Sequence, residues 1–158
     1  MSAKLPELSL IELSELTLLV DSDATLAQLK ARGCDVRYSK AVWQPLSGGR
    51  EYAQCMTKPI RINGIESTLV IEISRMSHEP NRVWVDGFDL HPGSQEDAAW
   101  VNRIRKMLSQ GFDPPSHGKD GVEIYERGSI EQSILFPGSP TEPAHVLMHR
   151  RSLIRNPS

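Results

Sequence analysis

The alternation of apolar and polar residues between positions 36 and 90 predicts an antiparallel β-meander. Asn63-Gly64 separates two apolar runs, and both residues tolerate the positive φ that a type I′ hairpin turn requires. Such a turn pairs Ile62 with Ile65 and fixes the register of the two strands beside it. The glycine-rich segment 47–49 predicts another hairpin loop before it.

Because side chains alternate across a sheet, this register assigns each residue to one of two faces. Continued along the strand, it pairs Met56 with Ile71. One face is then apolar and contains Val36, Tyr38, Val42, Met56, Ile60, Ile62, Ile65, Leu69, Ile71 and Ile73. Pro59 cannot donate a hydrogen bond to a neighbouring strand, so we expect a bulge or an unpaired edge at that point.

A fourth run, residues 82–90, follows a turn-like segment and completes a four-stranded sheet. Pairing it through a five-residue loop places Trp84 opposite Ser74 on the polar face. The sequence then predicts a row of side chains across that face: Trp43, Ala53, Ser74 and Trp84. A shift of one residue would instead turn Trp84, Phe88 and Leu90 toward the core.

Helices are predicted on either side of the meander. The leucine-rich segment 1–20 suits a helix or a strand, whereas Asp21-Ser22-Asp23 can cap a short helix at 24–32 that ends at Gly33. The strongest helical pattern covers 95–110, with Ser94 as its cap and an apolar stripe on one side. This helix is expected to pack on the sheet, on a face that the pattern does not specify.

The C-terminal third predicts a second hairpin over 122–136, with its turn at Arg127-Gly128-Ser129. Residues 144–155 suit a helix that Thr141 would cap, or alternatively a strand. We therefore expect a single α+β domain over residues 1–158. It would consist of a four-stranded antiparallel meander packed by helices, plus a C-terminal hairpin.

Composition narrows the functional classes. The 158 residues are 39% hydrophobic and 24% charged, as in ordinary globular proteins, and the net charge of −2 provides no general attraction to nucleic acid. We interpret the basic residues as helix C-terminal charges: Arg103, Arg105, Lys106, Arg150, Arg151 and Arg155. No apolar run approaches the roughly 18 residues that span a membrane, and no secretory signal is evident, so a cytoplasmic protein is expected.

The sequence contains no P-loop, dinucleotide-binding or nucleophile-elbow motif, so no cofactor is expected. Cys34 and Cys55 are predicted to be distant, free and unactivated thiols. His145 and His149 have the spacing of two metal ligands on a helix, but no third ligand is identifiable. We interpret them as a surface pair and predict no metal site.

The acidic residues before the strongest predicted helix suit helix capping better than a binding site. Asp86, Asp89 and His91 precede its start, where an anion could bind the free amides. The nearby carboxylates would repel an anion, so we interpret this segment as a strand-to-helix loop with capping acids.

Two functional hypotheses remain. The first is a non-enzymatic protein-interaction module of the adaptor, chaperone or immunity type, in which the tryptophan row forms the binding surface. The alternative is a small hydrolase or nuclease-like enzyme that uses Asp113, His117 and Glu123 around the proline-rich loop. The tryptophans equally suit a buried position, and neither the partner nor the oligomeric state can be deduced from the sequence.

Overall fold

The computed structural model describes residues 5–37, 43–93 and 96–150 of the chain. The helices are α1 (Leu10–Leu16), α2 (Ser22–Ala31) and α3 (Asp97–Gly111). The first strands are β1 (Glu7–Leu8), β2 (Val36–Arg37), β3 (Gln44–Pro45), β4 (Arg50–Thr57), β5 (Ile60–Ile62), β6 (Ile65–Met76) and β7 (Glu79–Pro92). The remaining strands are β8 (Ser116–His117), β9 (Glu123–Arg127), β10 (Glu131–Phe136) and β11 (His145–Arg150).

These strands form one mixed sheet in the order β1-β5-β6-β7-β11-β10-β9-β8. Strand β4 also pairs with β6, and β2 and β3 pair with β4. The β1–β5 pair is parallel, and the central pairs are antiparallel. The predicted four-stranded meander with a separate C-terminal hairpin is therefore wrong.

One cause of this error lies at the C-terminal end of the sheet. Residues 144–155, which suited either a helix or a strand, contain β11, and this strand lies between β7 and β10. Val146 pairs with Leu90 on one side and with Leu135 on the other. The C-terminal strands consequently continue the first sheet.

All three helices pack against one face of this sheet, and their apolar residues join those of the strands in one hydrophobic cluster. Trp100 of α3 is fully buried there, and its Nε1–H donates to Ser67 Oγ of β6 at 3.0 Å. The opposite face carries no helix in the part of the chain that the structure describes. We call it the open face.

The helix boundaries follow from local capping. Ser9 and Glu12 form a reciprocal capping box that begins α1, which settles the N-terminal segment as partly helical. Asp21 accepts a hydrogen bond from Ala24 N at 2.9 Å and begins α2, as predicted. Helix α3 confirms the strongest helical pattern, but it begins at Asp97 with Glu96 as its N-cap, so the predicted cap at Ser94, which lies outside the described residues, is wrong. None of these helices is long and apolar enough to cross a membrane.

Register was predicted correctly at the Asn63-Gly64 turn and incorrectly at several other points. Ile62 pairs with Ile65 as predicted. The hairpin of β9 and β10 also forms, but Arg127 pairs with Glu131, so its turn is Gly128-Ser129-Ile130 and not the predicted Arg127-Gly128-Ser129. Strand pairing breaks between β4 and β5, next to Pro59, and Met56 pairs with Val70 instead of Ile71. Met56 is consequently 53% exposed and not part of the core. The predicted core residues Tyr38 and Val42 lie outside the described residues.

A β-bulge at Asp86 determines which residues of β7 face the core and which face the open side of the sheet. Trp84 pairs with Ser74 as predicted, but after the bulge Gly87 lies opposite Glu72. The extra residue reverses the alternation, so Phe88 and Leu90 are fully buried beneath the helices. One strand thus presents Trp84 to the open face and two large apolar residues to the core.

Candidate functional site

The predicted tryptophan row is divided between the two faces. Ala53 pairs with Ile73 and is buried in the core, and Trp43 packs against the same core from its edge. Ser74 and Trp84 belong to the open face. Because β4 is shifted by one residue, Tyr52 occupies the position opposite Ser74 that was predicted for Ala53.

Trp84 is held in place by a polar network on the open face. Its Nε1–H donates to Asp86 Oδ1 at 2.9 Å, and Ser74 Oγ donates to the other oxygen of Asp86. The Arg50 guanidinium donates to Ser74 Oγ at 3.0 and 3.1 Å and lies 3.1 Å from Asp86 Oδ2. The indole therefore has a fixed orientation and a satisfied N–H.

Next to this network lies a small pocket of about 290 Å³, lined by Arg50, Tyr52, Glu72, Asp86, Gly87, Leu147 and His149. Tyr52 donates its hydroxyl hydrogen to Glu72, and burial together with this carboxylate raises the pKa of the phenol. Burial lowers the pKa of His149, whose Nδ1 is enclosed without a hydrogen-bond partner among the described residues. The pocket therefore combines a desolvated imidazole with the carboxyl groups of Glu72 and Asp86.

An acid–histidine cluster, composed of Asp89, His91 and His145, lies on the same face. Asp89 Oδ1 is 2.9 Å from His145 Nδ1, and Asp89 Oδ2 is 3.2 Å from His91 Nε2. The hydrogen bond to Asp89 is the main cause that raises the pKa of His91, against the opposing effect of burial. The acid is predicted as a capping residue, but it joins two imidazoles on neighbouring strands.

The third feature is an apolar ridge of three consecutive residues, Leu18, Leu19 and Val20, between α1 and α2. Their exposed fractions are 39%, 40% and 43%. The ridge borders a groove of about 480 Å³ beside the β6–β7 hairpin, whose other lining residues are Asp21, Met76, Glu79, Arg82, Val83 and Trp84. Exposed apolar residues that adjoin a groove are characteristic of interaction surfaces.

Two of the three alternative catalytic residues lie on paired strands, where His117 of β8 is opposite Glu123 of β9. Glu123 accepts hydrogen bonds from Arg105 at 2.7 to 3.0 Å and from Tyr125 at 2.6 Å on the helix-covered face. The Arg105 bond is the largest cause that holds the pKa of Glu123 below its usual value. Asp113 and His117 are exposed, and no hydrogen bond joins the three side chains in the described structure. The hypothesis that these three residues form a catalytic site stays a prediction.

Both cysteines are free, as predicted, and both are buried, which the predicted register had not indicated for Cys55. Burial raises the pKa of Cys34, and it raises that of Cys55 to about 11. A thiol with such a pKa is a poor nucleophile at neutral pH, since little thiolate is present. The prediction of unactivated thiols therefore agrees with the structure, and the physical cause is burial.

Sequence reasoning missed the ridge and the acid–histidine cluster. The ridge lies in a segment whose leucines suited a buried helix or strand equally well. A signal for the cluster was present in Asp89-x-His91, because residues two apart on a strand share a face. The third member, His145, became a neighbour only through the β7–β11 pairing.

Comparison of the chain with protein-family models, curated proteins and solved structures found no match.

Proposed function

We propose that this protein is a protein-interaction module that binds its partner through the ridge and the adjoining groove. The observation that carries the proposal is the exposure of three consecutive apolar side chains, on a backbone that has a positive φ at Val20 and is hydrogen-bonded to the sheet. Free, buried thiols support a cytoplasmic location as part of the same proposal.

The backbone of the ridge is strained at Val20. Its φ is 64°, a value that is unusual for a β-branched residue. Asp21 N–H donates to Leu19 O at 2.6 Å, which closes a three-residue turn around Val20. Turns of this kind with positive φ are rare and strained.

Several contacts from the sheet maintain this conformation. Val85 N–H donates to Val20 O at 2.6 Å, and Asp21 bridges to Trp84 in antiparallel fashion. The guanidinium of the buried Arg150 donates to Thr17 O at the base of the ridge. The fold therefore stabilises a conformation that exposes apolar side chains, and backbone strain of this kind concentrates at functional sites.

The shape of the surface favours a protein over a small molecule as its ligand. A small ligand would fill the groove and leave the outer side of the ridge in water. A protein surface can cover both, and insertion of an apolar side chain beside Trp84 would form the kind of aromatic contact that dominates interface energies. The rim contains two acids, Asp21 and Glu79, and one arginine, Arg82, so a partner with a basic residue beside its apolar group fits best.

Replacing Val20 with glycine tests whether the positive φ at this residue reduces the stability of the protein. Glycine adopts positive φ readily, so Val20→Gly is expected to raise the free energy of unfolding by about 1 kcal/mol, measured by urea denaturation. The matched control is Val122→Gly, at φ −64°, where the same change should reduce stability. Equal losses in both variants would show that Val20 is not strained.

Partner binding should depend on Leu19. Wild type and Leu19→Asp would be used as purified bait in lysate of the source cells, followed by an affinity measurement on any stoichiometric partner. We expect a charge at this 40% exposed position to weaken binding at least 100-fold and to leave the circular dichroism spectrum unchanged.

The control variant is Met56→Asp, because Met56 is a 53% exposed apolar residue on β4, opposite Val70 and four residues along the strand from Tyr52, which pairs with Ser74 beside Trp84. It should retain the partner. Unchanged binding by Leu19→Asp, equal loss in both variants, or capture of no protein by the wild type would each contradict the proposal. Self-association that Leu19→Asp abolishes would identify a second copy of the chain as the occupant, which would also contradict a separate partner.

A further inference from the structure

The acid–histidine cluster has the composition of a mononuclear metal site. Two imidazole nitrogens and a carboxylate oxygen lie within 4.8 Å of one another. Both oxygens of Asp89 are engaged, one with each histidine, at 2.9 and 3.2 Å. Donor atoms that share one ion at bond lengths of roughly 2.0–2.2 Å lie about 3–4 Å apart, so modest side-chain adjustment suffices to place one ion between the three.

The cluster is supported by rigid elements. Asp89 and His91 project from the same face of β7, and β11 pairs with β7 through Leu90 and Val146, immediately beside His145. The His145 ring stacks between Phe136, at a centroid distance of 4.4 Å, and His91, at 5.4 Å. Only 13% of the Asp89 side chain is exposed, against 27% and 33% for the two histidines. The acid is therefore fixed at the base of the cluster, and the imidazoles are open to solvent.

We propose that Asp89, His91 and His145 bind one divalent transition-metal ion of the Zn²⁺ class. Imidazole nitrogen suits such ions better than Ca²⁺ or Mg²⁺, which prefer all-oxygen ligands. Three protein ligands leave at least one coordination position for water or another ligand, as in reactive metal sites and unlike closed structural ones. The proposal is independent of the protein-interaction function and uses a different part of the surface.

The pocket beside the acid–histidine cluster offers space for a further ligand that binds the ion. Glu72 lies close enough to His91 to interact with it electrostatically, and Glu72 also lines the 290 Å³ pocket. The pocket and the cluster therefore adjoin on the open face. Leu147 lies beside Asp89 across the β7–β11 pair and also lines the pocket, so it separates the metal position from His149.

The test uses untagged, full-length protein that has been freed of metal with a chelator. Titration with ZnCl₂ in a calorimeter should show one ion per chain with a dissociation constant in the micromolar range or below. Addition of Co²⁺ should produce visible absorption bands, because nitrogen ligation changes the ligand field of the ion. Asp89→Asn and His145→Gln should each weaken Zn²⁺ binding at least 100-fold.

His117→Gln is the matched control, because His117 is exposed on β8, outside the cluster, and should leave binding unchanged. Circular dichroism establishes whether each variant is folded. If Asp89→Asn does not fold, the binding measurement on His145→Gln tests the proposed ligands. Absence of binding by the wild type at millimolar Zn²⁺ would overturn the proposal. Binding by His145→Gln as tight as that of the wild type would also overturn it.

Discussion

Replacing Trp100 with alanine is expected to reduce the free energy of unfolding by about 3–5 kcal/mol. The indole is fully buried where α3 meets the sheet, so its removal leaves a cavity that backbone on both sides cannot easily fill. The loss also leaves Ser67 Oγ without the donor that reaches it at 3.0 Å. Urea denaturation monitored by circular dichroism measures the change.

A second substitution at the same position separates the two contributions. Trp100→Phe retains most of the apolar volume and removes the hydrogen bond, so we expect it to cost about 1–3 kcal/mol. A loss below about 1 kcal/mol for Trp100→Ala would show that α3 is not held to the sheet by this residue. The position of α3 above β6 would then need another explanation.

Replacing Gly87 with alanine is expected to destabilise the protein by about 2–3 kcal/mol. A Cβ at this position would collide with the carbonyl oxygen of Met148 and press against His149, both on the paired strand β11. The backbone carbonyl cannot move without breaking the pairing of β7 and β11. The substitution therefore tests the junction that joins the two halves of the sheet.

Gly118→Ala provides the matched control, because the nearest atom to its added Cβ is 3.7 Å away, an ordinary contact. That variant should differ from the wild type by less than about 1 kcal/mol. The Gly87 variant should also weaken metal binding, since the junction aligns Asp89 and His91 with His145. Equal stability of the two variants would contradict the observed pairing of β7 with β11.

Features encoded by neighbouring residues could be predicted from the sequence. The Asn63-Gly64 turn, the Asp21 cap of α2 and the α3 pattern each depend on a few adjacent side chains. The pairing of Trp84 with Ser74 was also predicted correctly, although the structure reaches it through a pair between Met76 and Glu79 and a register shift beside Arg75. In these cases local conformational preference and tertiary structure agree.

Predictions failed where a single residue altered the strand register. The interruption next to Pro59 moved Ala53 and Cys55 to the core and Met56 to the surface. The bulge at Asp86 had the converse effect on β7, because Trp84 stayed on the open face while Phe88 became buried. Bulges depend on packing across several strands, so alternation along one strand does not reveal them.

The candidate sites were harder to predict because they depend on pairing between distant segments. The acid–histidine cluster requires β11 to lie beside β7, a contact between residues more than fifty positions apart. Predicting the ridge requires knowing which leucines near the N-terminus α1 buries and which remain exposed. No spacing within either segment specifies these arrangements.

The most direct test of the interaction function locates the partner on the surface. A photoreactive benzoylphenylalanine would replace Leu19 in one version of the protein and the exposed Met56 in another, and both would be illuminated in the source cells. We predict that one protein becomes cross-linked from position 19 and not from position 56. No cross-link at position 19, or the same products from both positions, would contradict it.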